Sequence, residues 1–105
     1  MNFSELAKNL ELEEDEYLEL IQLLIETSRA DLASIETAAG EQQSNEAASA
    51  LHSIKGAAGN LGLMEIYDLA RQGEQVARTN AMDQLPGIIQ GLKGKFRELA
   101  ESAGI

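Results

Sequence analysis

The chain has 105 residues, no cysteine, one histidine and a formal net charge of −10. That length accommodates one core but not two, so residues 1–105 are expected to form a single domain, without a disulfide framework or a thiolate metal site. An acidic chain lacking a basic stripe is a poor ligand for nucleic acid or an anionic membrane. No apolar run approaches bilayer length and no signal-peptide pattern opens the sequence, so a soluble, cytoplasmic protein is expected.

The charge is unevenly spread: residues 1–50 carry 12 acidic and 2 basic side chains, residues 51–105 six of each. Phe3, Tyr17, Tyr67 and Phe96 are the whole aromatic set, so the core must be built from Leu, Ile and Ala. With many Glu and Gln and one proline, that mixture favours helix.

Phe3, Leu6 and Leu10 predict a short N-terminal helix with one apolar side. The acidic run Glu11–Glu19 reads as a solvated helix start, where carboxylates suit the helix dipole. Tyr17, Leu18, Leu20, Ile21, Leu24, Ile25, Leu32 and Ile35 follow a 3.6-residue period and predict a long helix over 13–39. Gly40 is its expected C-cap, and Ser44 or Asn45 the cap of a third helix over 45–60. A fourth helix is expected over 63–79, with Ile66, Leu69, Ala70, Val76 and Ala77 inward. The last spans 83–102 on Leu85, Ile88, Ile89, Leu92, Phe96 and Leu99, with Pro86 tolerated near its first turn. Four amphipathic helices on short polar turns predict an all-α, antiparallel four-helix bundle, capped at one end by the short N-terminal helix.

The stretch LHSIKGAAGN, residues 51–60, puts two glycines beside the lone histidine, although glycine costs about 1 kcal/mol against alanine inside a helix. On a helical wheel Ala48, Ser49, Lys55, Gly56 and Gly59 lie within about 60° of His52, while Ala47, Ala50, Leu51, Ile54, Ala57, Ala58 and Leu61 occupy the opposite side. A strip of small residues could be a close helix–helix contact, but such a strip would not carry a lysine and a histidine at its centre. Around an exposed nucleophile, small residues let a second protein bring its own reactive group close. Metal chemistry has little support: one histidine and no Glu-x-x-His pair do not make a di-metal carboxylate site. An exposed His52 is a poor start for a haem with Met64 or Met82 as second ligand. Hydrolysis by a serine triad lacks a nucleophile elbow.

His52-x-x-Lys55-Gly56, followed by Gly59 and Gly62, resembles the signature of histidine-containing phosphotransfer (HPt) domains, the phosphoryl carriers of two-component phosphorelays. The likeness covers AAGNLGL and extends to Glu74, Ala77 and Arg78. The resemblance implies a four-helix bundle with His52 as phosphoacceptor and Lys55 as the basic residue assisting the phosphoryl group. Gly56 and Gly59 correspond to the open surface on which a response-regulator receiver domain docks, and Ala48 and Ser49 share that strip. Glu74 falls where family members often place a Gln or Glu that contacts the imidazole. Gly73 departs from the pattern, which more often has a bulky apolar residue there.

Elementary chemistry is consistent with those roles. A neutral imidazole has a lone pair that can attack phosphorus. A carboxylate accepting from Nδ1–H would fix the tautomer and leave Nε2 as nucleophile, as the acid of a triad orients its histidine. Lys55, one turn along, would offset charge on the phosphoryl oxygens. Since no nucleotide loop is apparent, the resemblance implies a carrier and not an enzyme: a monomer with no cofactor of its own, facing a sensor or hybrid histidine kinase and a receiver that brings Mg²⁺ and the acceptor aspartate. Two other readings are an inert HPt-like adaptor and the phosphoacceptor domain of a histidine kinase. In the latter an acidic residue and then a proline usually follow the histidine; here Ser53 follows, and no proline comes until Pro86.

Overall fold

Five α-helices and one short 3₁₀ turn account for nearly all of residues 2–105, the residues described by the computed structural model: α1 Phe3–Asn9, α2 Glu14–Gly40, α3 Ser44–Asn60, α4 Met64–Arg78, the 3₁₀ turn Met82–Gln84, and α5 Leu85–Ala103. No strand occurs among the described residues, and none of their helices is long and apolar enough to cross a membrane. Helix α2 packs on α3 and α5, α3 on α4, and α4 on α5, which closes a four-helix ring. The turns 41–43 and 61–63 are three residues each, so consecutive helices must reverse direction.

Each helix contributes the apolar stripe its sequence period requires. In α2 the buried set is Tyr17, Ile21, Leu24, Ile25, Ser28, Leu32, Ile35 and Ala38; in α5 it is Leu85, Ile89, Leu92, Phe96 and Leu99. Leu20 departs from expectation: it is exposed because it stands on the edge of the α2 stripe and not at its centre, and Leu23, further round the helix, is exposed as well. Leu69 and Val76 of α4, expected to face inward, are only partly covered.

Helix starts and ends also differ from the sequence expectation. Asn2 caps α1 by accepting from the Glu5 backbone N–H at 3.0 Å, and the Glu16 carboxylate accepts from the Glu13 backbone N–H at 3.1 Å at the start of α2. Gln43, and neither Ser44 nor Asn45, holds the N-cap position of α3, without a side-chain capping bond. Gly40 is not a cap but the last residue of α2. The left-handed residue that ends α2 is Gln42, at φ 57°, and the Gln43 N–H then donates to Ala38 O at 2.8 Å. The same closure ends the other helices, with Glu11, Gly62, Asn80 and Gly104 at positive φ and N–H bonds from Leu12 to Ala7, Leu63 to Ala58, Ala81 to Val76 and Ile105 to Ala100. These are Schellman-type ends; at the three non-glycine positions hydrogen-bonded carbonyls offset a backbone cost of about 1 kcal/mol.

Two contacts fix the end of the bundle where α3 turns into α4. The hydroxyl of the fully buried Tyr17 donates to Leu61 O at 2.5 Å, and burial raises the Tyr17 pKa. Helix α1 packs on α2, and its Leu6 reaches the Gly62 turn, where an added Cβ would meet Leu6 Cδ2 at 3.5 Å. The short helix thus covers that end.

Candidate functional site

Helix α3 lies between α2 and α4 and exposes a face bounded by them. His52 is on that face with 63% of its side chain exposed. Its Nδ1 lies 3.1 Å from Glu74 Oε2. With Nδ1 engaged by the carboxylate, Nε2 on the far side of the ring is the nitrogen left for chemistry.

Glu74 projects from α4 and is the centre of the arrangement. Its side chain is only 8% exposed, and its two oxygens serve three partners. Lys55 Nζ lies 2.7 Å from Oε1. Arg78, one turn along α4, donates to Oε2 from Nη2 at 2.7 Å and from Nε at 3.1 Å. Burial by itself raises a carboxyl pKa. The hydrogen bonds from Lys55 and Arg78, the Lys55 charge and the His52 contact together outweigh burial and hold Glu74 at about 2. The acceptor beside His52 is therefore a carboxylate throughout the physiological range.

Gly73 explains how α4 comes close enough to deliver that carboxylate. A Cβ built there would lie 3.0 and 3.1 Å from the two Cδ atoms of Leu51 and 3.1 Å from Ile88 Cγ2. A bulky side chain at this position would push α4 away from α3 and α5, and Glu74 away from His52 with it.

The glycines of α3 are not equivalent. A Cβ at Gly56 would meet nothing within 4 Å, whereas one at Gly59 would press on the Tyr67 ring, 3.2 Å from Cδ2. Gly56 and the exposed Ser49 border open space. Gly59 is exposed but also makes room for an aromatic ring of α4. Ala48, expected on the docking strip, is instead buried at 1% exposure. It lies seven residues before Lys55, hence on the same flank of α3, and that flank faces α4, as the Lys55–Glu74 and Gly59–Tyr67 approaches establish. A wheel drawn for α3 alone does not contain this second neighbour.

His52, Lys55 and Glu74 thus converge, with Ser49 and Gly56 open beside them. Sequence reasoning missed Arg78 as a member of the cluster; its signal was the i, i+4 spacing from Glu74, which puts the two side chains on one face of α4. It also missed the exposed Leu20 and Leu23. The α2 flank bearing Arg29, Ala33 and Glu36 lines a groove with α5, so Leu20, on the opposite flank, stands on the side of α3, with Leu23 further out on the exposed face. Among the described residues no group of three or more His, Asp or Glu side chains is placed to hold a metal ion.

Comparison with known proteins yields one family: the Hpt domain model matches residues 19–102. No curated protein matches the chain, and no solved structure does.

Proposed function

Because the chain belongs to the Hpt domain family, the histidine-containing phosphotransfer modules of two-component systems, we propose that it is a phosphocarrier that accepts and donates a phosphoryl group on His52 Nε2. The observation that carries this reading is the pairing of an exposed imidazole with a buried, ionised carboxylate at its Nδ1. In the forward step the Nε2 lone pair forms an N–P bond as the bond between phosphorus and the partner's aspartate oxygen breaks. The electron pair leaves with the aspartate carboxylate, and Nδ1 keeps its proton against Glu74. The reverse step runs through the same geometry. Lys55 stands one helical turn from His52, where its ammonium can turn from Glu74 to an incoming phosphoryl oxygen.

The partner is a response-regulator receiver domain, which brings the acceptor aspartate and its Mg²⁺; a sensor or hybrid histidine kinase stands at the other end of the relay. No cofactor of its own is required for a step whose chemistry is in-line displacement between two side chains. Docking uses the open side of α3 at Ser49 and Gly56, with the exposed Leu20 of α2 as its apolar border. The carrier acts as a monomer in the cytoplasm.

The test is incubation with a receiver domain phosphorylated on its aspartate, without ATP. Acid-labile, base-stable phosphate should appear on the chain and be lost with His52→Ala. An inert adaptor would bind the receiver and acquire no phosphate.

A further inference from the structure

The three charged groups around His52 do not cancel. Lys55 and Arg78 contribute two positive charges and Glu74 one negative, so with a neutral imidazole the cluster carries one excess cation. A phosphoryl group arriving at Nε2 brings a charge of about −1.5 to −2, one ring-width from the Glu74 carboxylate. Lys55 is already bonded to Oε1 at 2.7 Å and has only 24% of its side chain exposed, whereas the Arg78 side chain is 60% exposed and reaches Oε2 from the solvent side. An amide at position 74 would orient Nδ1 equally well and would need no such counter-charge.

We infer that Arg78 is a positioning residue coupled to Glu74: it supplies the second cation that allows a carboxylate, in place of an amide, to hold His52 while a phosphoryl group is bound. This rests on the phosphocarrier reading above. The charge count makes the coupling specific. Arg78→Gln brings the cluster to zero net charge and leaves the buried carboxylate balanced by Lys55 alone. Glu74→Gln raises the cluster to two excess cations. The double variant returns it to one, as in the original chain, and retains an acceptor for Nδ1–H. Substitution at 78 should therefore be harmful beside Glu74 and mild beside Gln.

The experiment is a double-mutant cycle on the full chain with phosphoramidate as donor, following phosphohistidine formation by ³¹P NMR and the His52 ring nitrogens by ¹⁵N NMR. Arg78→Gln should slow acceptance by about tenfold in the Glu74 background, and by less than about twofold when Glu74 is also Gln. The ¹⁵N shifts of the His52 ring should move in Arg78→Gln, because Oε2 loses the two Arg78 donors it shares with Nδ1, and should move far less when position 74 is also Gln, which a merely structural role for Arg78 would not produce. Equal slowing in both backgrounds, or ring shifts unmoved by Arg78→Gln, would overturn the coupling. Label that persists in His52→Ala would instead sink the phosphocarrier reading, whatever the ring shifts show.

Discussion

Replacing Glu74 by Gln keeps the side-chain shape and removes the charge on which three neighbours converge. The carboxyl is held at about 2 against an ordinary value of 4.5. A folded-state pKa below the unfolded one means that ionisation stabilises the native state above the unfolded value. That contribution fades as pH falls from 4.5 towards 2. At ~1.4 kcal/mol for each tenfold change in acidity the full difference is about 3 kcal/mol, and screening through the exposed Arg78 brings the expected effect at neutral pH to about 2 kcal/mol. Urea unfolding of both proteins across a pH series measures it. Most of the chain's 18 acidic groups titrate alike in the two proteins, so their difference isolates position 74. Glu74→Gln should be less stable by about 2 kcal/mol at neutral pH, and the gap should close as pH falls to about 2. A gap that is absent at neutral pH, or that persists unchanged into acid, would refute the idea that the buried carboxylate is held ionised by its cations.

Four further substitutions probe the neighbourhood. Gly56→Ala should stabilise α3 by up to about 1 kcal/mol in thermal or urea unfolding, since its Cβ enters open space. Gly59→Ala should gain less, because its Cβ meets the Tyr67 ring at 3.2 Å. Gly73→Leu should destabilise by about 1–3 kcal/mol or more, as side-chain atoms press on Leu51 and Ile88, and ¹⁵N NMR should show the His52 ring losing its Glu74 partner. Lys55→Ala should slow phosphoryl transfer in a single-turnover assay without abolishing it, because the nucleophile and its Glu74 contact remain.

Much of the bundle was legible because helix burial follows a simple period. The period picks out Tyr17, Ile21, Leu24, Ile25, Leu32 and Ile35 of α2 and Leu85, Ile89, Leu92, Phe96 and Leu99 of α5. Leu20 stands exposed at the stripe's edge, Ile88 is only partly covered, and the buried Ser28 and Ala38 escape the pattern because a hydroxyl and a single methyl carry little apolar signal. Helix ends were less legible. Gly40 looked like a cap, but the chain runs on and places Gln42 in the left-handed region, a choice set by the carbonyls that the next two N–H groups can reach. Around His52, spacing along α3 identified the open side at Ser49 and Gly56. It misplaced Ala48, because the flank shared with Lys55 is roofed by α4. The part played by Arg78 depends on Glu74 being both buried and ionised, a property of packing that no single-helix pattern displays.

The proposed chemistry takes place at one nitrogen of one side chain, and the most direct test is to locate the phosphate. After exposure to a phosphorylated receiver, peptide mapping under alkaline conditions and ³¹P NMR should place a single phosphoryl group on His52 Nε2. The original chain should carry it, and His52→Ala and His52→Gln, still folded because the side chain is exposed, should carry none. Phosphate at Nδ1, phosphate on any other residue, or undiminished labelling of either His52 variant would contradict the account.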